Sequence, residues 1–236
     1  WCPFLTNIAT INSVIRSAKS ISNNNIKNTN TISILNSSGE WDFLKKNSIN
    51  INIEKLYPFS FHKYLPKEGL VPSRFSFLMI FILSFFPLIS KIKKEKPKYL
   101  IVHLLTFLPI ILSPLLSRNT KIILRISGFP ELTFFRKLIW KLFGNNIYRI
   151  TAPTKKTYNL IRNSKIFKKE KIFLLRDPAI DKNEILKNKN ISIFKKYLRK
   201  KFVLSIGRLT SQKNFSFLIK IFSKYKKIID VNYLFI

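Results

Sequence analysis

Apolar and polar positions alternate along this chain in short blocks of two kinds. Residues 98–104 (KYLIVHL), 121–126 (KIILRI), 147–152 (IYRITA), 171–175 (KIFLL), 201–206 (KFVLSI) and 231–236 (VNYLFI) are short runs dominated by apolar residues. Runs of that length, rich in Ile, Leu and Val, predict strands buried in a parallel sheet. Residues 135–143, 155–163 and 216–226 instead place apolar side chains three and four apart, the spacing of a helix with one face on a core. Residues 11–22 read as a further helix. The order strand, helix, strand, helix predicts an α/β protein built on doubly wound parallel sheets. Ligands of such sheets lie beyond the carboxyl ends of the strands, which makes His103, Arg125, Ser127, Gly128, Pro153 and Thr154 cleft candidates. Arg125 ends a buried strand, so its charge needs a partner or a ligand phosphate.

Two stretches break the alternation. Residues 75–89 (FSFLMIFILSFFPLI) are almost wholly apolar, and 104–116 continue apolar around Pro109 and Pro114. The first is shorter than the roughly 20 residues that span a bilayer. It reads either as a helix buried against the sheet or as an interfacial helix whose apolar face enters lipid. Lys91, Lys93, Lys94 and Lys96 come directly after it.

Charge narrows the partners. The 236 residues carry 43 Lys and Arg against 11 Asp and Glu, a net charge of +32. A surface this positive seeks an anion. Much of the excess is Lys in company with Asn and Ile, the mark of an A/T-rich coding sequence. The remainder fits a protein on an anionic membrane, where each nearby cation contributes ~1 kcal/mol. Zinc-finger spacing, RNA-binding signatures and an ordered aromatic-basic platform are all absent, so nucleic acid is not the expected partner. Cys2 is the single cysteine, which excludes an internal disulfide and fits a reducing compartment. His62 and His103 stand apart from any Cys or carboxylate cluster, so no metal site is expected. Glycines at 39, 69, 128, 144 and 207 never form G-x-G-x-x-G, and no serine sits in a nucleophile elbow.

The chemistry concentrates at residues 203–215, VLSIGRLTSQKNF. Gly207 permits a tight turn after a strand, and Arg208 and Lys213 flank that turn near a helix start. Free amides and the helix dipole favour an anion there. An ordinary strand-turn-helix with two solvated cations is the alternative reading. With the amphipathic helix behind it, the segment resembles the donor site of a retaining glycosyltransferase of family 4, in the GT-B fold. The resemblance implies that Arg208 and Lys213, beside Gly207, bind the diphosphate of a nucleotide-sugar donor and offset the charge of the leaving nucleotide. It implies no metal and no other cofactor. In relatives a histidine comes after the second of the strands just ahead of a glycine and approaches the transferred sugar. Ser127 holds that place here, so His103 and Ser127 are the catalytic candidates and the catalytic residue stays unassigned.

The same resemblance implies a division into an acceptor-side Rossmann-like domain over 1–180, a Lys/Asn-rich linker over 181–200, and the start of a nucleotide-sugar domain over 201–236. Residues 4–10 (FLTNIAT) lack the glycine-rich loop of relatives, and the pair of glutamates that relatives carry after the last strand is not reached. The chain therefore reads as a piece cut at both ends, without its first strand and with little or no activity at this length. The expected whole is a transferase that moves sugar, with retention, to a lipid-linked or surface-glycan acceptor in polysaccharide or lipopolysaccharide assembly. Its expected place is cytoplasmic, peripheral on the inner face of the membrane. A non-enzymatic basic module for anionic lipid or nucleic acid is the alternative, in which Arg208 and Lys213 matter no more than any two cations.

Overall fold

The chain opens with helix α1 (Ala9–Asn23), the short strands β1 (Ser33–Asn36) and β2 (Asn52–Lys55), and the long helix α2 (Leu70–Glu95). Strands β3 (Tyr99–Val102), β4 (Lys121–Arg125), β5 (Ile147–Ala152) and β6 (Ile172–Leu174) come next, separated by α3 (Phe107–Leu112), α4 (Phe134–Phe143) and α5 (Lys155–Asn163). Last come β7 (Phe202–Leu204), α6 (Phe215–Tyr225) and β8 (Tyr233–Phe235). The computed structural model describes residues 1–6, 9–23, 31–44, 51–116, 119–178, 185–186, 201–207, 209, 211–225, 228, 231 and 233–235. It divides into two units, Trp1–Ile180 and Asp181–Ile236.

In the first unit the strands run β3-β4-β5-β6, every pair parallel, with helices between them. This is the Rossmann-like α/β arrangement that the alternation predicts. Successive side chains of a strand point to opposite faces. Leu100, Val102, Ile122, Leu124, Ile150 and Ile172 enter one core with Leu88 and Ile92 of α2, Leu108 and Ile110 of α3, Trp140 of α4 and Ile161 of α5. The opposite face carries Ile101, Ile123, Arg149, Thr151 and Phe173. Register puts Ile101 beside Ile123, Ile123 beside Arg149, and Thr151 beside Phe173, across a shift between Ile122 and Ile123 that leaves Tyr148 out of the ladder. Trp1 behaves as a strand residue at the β3 edge: its backbone nitrogen donates to the Ile101 carbonyl at 2.8 Å and its carbonyl accepts from His103 N at 2.9 Å.

α2 is longer than its apolar stretch, running on through Lys91, Lys93 and Lys94. Pro87 lies inside it and has no N–H for the Leu83 carbonyl one turn back. The Tyr57 hydroxyl donates to that carbonyl instead, so the helix continues past the proline without an orphaned acceptor. Lys96, with φ 47, closes the helix in the left-handed region. The alternation gives no warning of β1 and β2, which pair parallel with Ser33 beside Asn52 and Asn36 beside Lys55.

In the second unit β7 pairs parallel with β8, and α6 connects them. Phe215 is buried, and Leu218 and Phe222 are half-buried, as a packed helix face requires. Ile219, expected on that face, is 51% exposed. It stands 40° round the helix from Phe215, on the side away from Leu218 and Phe222.

Candidate functional site

A cleft of about 720 Å³ opens on the second face of the four-stranded sheet. Arg125 enters it from the last position of β4, Arg149 and Thr151 from β5, and His103 from one residue past β3. α1 adds Ser17, Ser20 and Ile21, while Phe173, Leu174 and Leu175 form an apolar wall. The carboxyl-end rule for parallel sheets thus holds for His103 and Arg125, and α1 supplies two hydroxyls that the alternation does not select.

The buried Arg125 guanidinium finds its partner within the chain. Nε and Nη2 donate to Asp177 Oδ1 at 3.2 and 2.6 Å, and Nη2 also lies 3.3 Å from the Arg176 carbonyl. A ligand phosphate is therefore not required to neutralise it. Asp177 is legible in the sequence only as part of the Arg-Asp-Pro that ends a strand, because its partner lies 52 residues away. Removing one member of a buried pair costs about 3 to 5 kcal/mol, and less here because Asp177 is one-third exposed. Asp177→Ala should lower the unfolding free energy by about 2 kcal/mol, read as a shifted urea midpoint at constant slope.

Among the described residues, the buried His103 Nδ1 and Thr151 Oγ1 have no hydrogen-bond partner. Burial above all, with the Arg125 charge, pushes the His103 pKa down to about 3. The ring is neutral at physiological pH, too weak a base to take up a proton and well suited to exchange one hydrogen bond with a ligand. Arg149 donates from Nη1 to the Glu170 carbonyl at 2.9 Å, and its guanidinium lies over the rings of Phe173 at 4.5 Å and Tyr148 at 5.0 Å. An apolar floor with unpartnered polar atoms set into it matches a ligand of ring faces and hydroxyls.

Three other candidates stand outside this wall. Thr154 caps α5, its hydroxyl oxygen accepting from Thr157 N at 3.1 Å. Gly128 has φ 82 and open space around it, so its glycine serves the turn before Pro130, and its carbonyl accepts from Thr157 Oγ1 at 3.2 Å. Ser127, next to Gly128 in the chain, is half-buried. Cys2 lies in the neighbouring core, where burial raises its thiol pKa to about 12 and leaves it unreactive.

In the second unit the 203–215 segment takes the local form that its pattern predicts. β7 ends at Leu204, a 3-10 turn runs from Ser211 to Lys213, and α6 starts at Phe215. Asn214 bridges turn and helix with φ 50, donating to the Ser211 carbonyl at 3.1 Å and accepting from Phe217 N at 3.1 Å. A Cβ on Gly207 would come within 3.2 Å of the Phe215 ring and 3.5 Å of the Lys213 stem. Close approach, not a left-handed backbone, is what Gly207 serves. Lys213 is thereby laid along the turn with its side chain exposed at the helix start. Arg208 falls outside the described residues. Among the described residues no group of three His, Cys, Asp or Glu side chains is placed to hold a metal ion.

No family model and no curated protein matches the chain. Solved structures similar to it include UDP-N-acetylglucosamine 2-epimerase from Rickettsia bellii, at 15% identity and a TM-score of 0.40, over 66% of this chain and 43% of that one. UDP-GlcNAc 2-epimerase from Methanocaldococcus jannaschii is similar at 15% identity and a TM-score of 0.48, over 98% of this chain and 63% of that one. The chain thus spans less than two thirds of the length of either. At these scores the α/β assignment rests on the strand order and register described above.

Proposed function

We propose that this chain is part of a retaining glycosyltransferase of family 4, with the GT-B fold, that uses a nucleotide-diphosphate sugar. The observation that carries the reading is the 203–215 segment, where strand, glycine, cation, turn, Lys213 and helix start occur in the order that a diphosphate site needs. Arg208 and Lys213 bind the two phosphates. As the bond from the anomeric carbon to the diphosphate oxygen breaks, the electron pair leaves on the diphosphate, and the fixed cations meet the developing charge. They act in place of a divalent metal. The acceptor, a lipid-linked or surface glycan of polysaccharide or lipopolysaccharide assembly, binds the first unit. The cleft of His103, Thr151 and Arg149 supports this, with hydrogen-bonding atoms over an apolar wall.

Calorimetric titration of the chain with UDP- and GDP-sugars tests the donor half. Saturable binding is expected, weakened about tenfold or more by Arg208→Ala and again by Lys213→Ala, the loss typical of hydrogen bonds to charged groups. Equal affinity in the variants, or binding that depends on salt alone and does not discriminate nucleotide from sulfate, overturns the reading.

A further inference from the structure

α2 has two apolar faces and only one of them is used. Ile80, Leu88 and Ile92 are buried, together with Ser76 and Ser84, a row that advances four residues at a time into the unit. Ser76 Oγ donates to the Pro66 carbonyl at 2.6 Å, and Tyr57 holds the Leu83 carbonyl, so this row is tied to the protein by hydrogen bonds as well as by packing. Val71, Phe75, Leu78, Ile82 and Phe86 lie on the opposite side and face solvent, Val71 at 76% and Phe86 at 77% exposure. At 1.5 Å per residue the row is about 22 Å long. A row of five large apolar side chains on one helix face is the kind of exposed patch that marks a contact surface.

What covers it is indicated by the charges at its ends. Residues 75–90 contain no charged side chain, whereas 63–98 hold eight Lys or Arg and only two Glu. Lys63, Lys67 and Arg74 lie exposed at the start of α2, and Lys93, Lys94, Lys96 and Lys98 at its end. Glu95 is already paired with Lys91 at 2.5 Å. An apolar row bracketed by long cationic side chains is complementary to a sheet of anionic headgroups over acyl chains, with the ammonium groups reaching phosphates. Because the Ile80 row is built into the unit, α2 lies along such a surface and does not cross it. We propose that the exposed face of α2 seats the chain on an anionic lipid bilayer. The inference stands on α2 alone and is independent of the donor-site reading.

Co-sedimentation with phosphatidylcholine vesicles, with and without 30 mol % phosphatidylglycerol, tests it. A protein this basic adheres to any polyanion, so the informative variant keeps its charge. Phe75→Ser, Ile82→Ser and Phe86→Ser combined should reduce partitioning to the anionic vesicles at least about tenfold, since three large apolar groups no longer leave water. Lys93→Gln, Lys94→Gln and Lys96→Gln combined should weaken it severalfold. The same loss of charge on and beyond α5, at Lys155, Lys156 and Lys169, should weaken it far less. Phe86→Trp should be quenched by brominated acyl chains beyond the wild-type baseline, a readout that needs no loss of binding. Wild-type partitioning by the serine variant overturns the proposal. So does an equal effect of the two lysine sets, or a dimer that the serine variant dissolves while vesicles bind neither form.

Discussion

Lowering the pH from 7 to 4.5 should cost the folded chain about 2 to 3 kcal/mol through His103 alone, and His103→Gln should remove that share of the loss. The sign is set by where the proton goes. In the unfolded chain the imidazole has its ordinary value of 6.5, and in the folded chain burial above all, with the Arg125 charge, holds it near 3. Above 6.5 both states are neutral, and stability does not change with this group. Between 6.5 and about 3 the unfolded state binds a proton that the folded state refuses, so stability falls by about 1.4 kcal/mol per unit. His62 is shifted in the same direction, by burial first and Lys67 second, and the Asp42 and Glu54 carboxylates, both held below their ordinary values, add to the acid loss. The readout is therefore the difference between urea midpoints of wild type and His103→Gln across that range. Curves that stay parallel from pH 7 to 4.5 would show that the native ring takes up its proton as readily as the unfolded one, and the depressed pKa assigned to the buried His103 would fall.

Legibility in the sequence depends on how local each signal is. β5 and α5 are legible together, because an apolar run ends at Pro153 and Thr154 supplies the cap for a helix of helical spacing. The parallel sheet and its open carboxyl ends come from the same alternation. β1 and β2 are not legible: SILN and NIEK are four residues each, the first half polar and the second with a single apolar side chain. They are held by the polar turn after β1. Asn36 Oδ1 accepts from Gly39 N at 2.9 Å and Trp41 N at 3.3 Å, and the buried Glu40 carboxylate accepts from the amides and hydroxyls of Ser37 and Ser38. A buried acid satisfied by two neighbouring serines looks, in a sequence, like any polar turn. In the cleft, His103 and Arg125 stand out because they end strands. Arg149 and the serines of α1 do not, because only folding brings them to the same face, and Asp177 is marked only by its bond to Arg125. α2 shows the remaining case, where one apolar run permits both a buried and an interfacial helix, and the structure buries one face and leaves the other exposed.

Trp41→Ala should lower the unfolding free energy by about 3 to 5 kcal/mol, the range for removing a fully buried large aromatic. Trp41 is 0% exposed, in the core of Cys2, Phe4, Ile11, Val14 and Ile34 that α1, β1 and the N-terminal segment share. Its ring meets Phe4 edge-on at 5.0 Å and stacks on Phe43 at 6.1 Å. Its indole N–H donates to the Cys2 carbonyl at 3.2 Å. Loss of the side chain therefore leaves a cavity and a buried acceptor without its donor. Trp41→Phe separates the two, keeping most of the packing and deleting the hydrogen bond, and should cost about 1 to 2 kcal/mol. The effect should extend to the cleft, because Cys2 adjoins Trp1, whose carbonyl accepts from His103 N. In Trp41→Ala the acid sensitivity assigned to His103 should shrink along with the stability. A variant as destabilised as this that kept the full His103 contribution would show that the N-terminal segment holds the cleft without help from the Trp41 core.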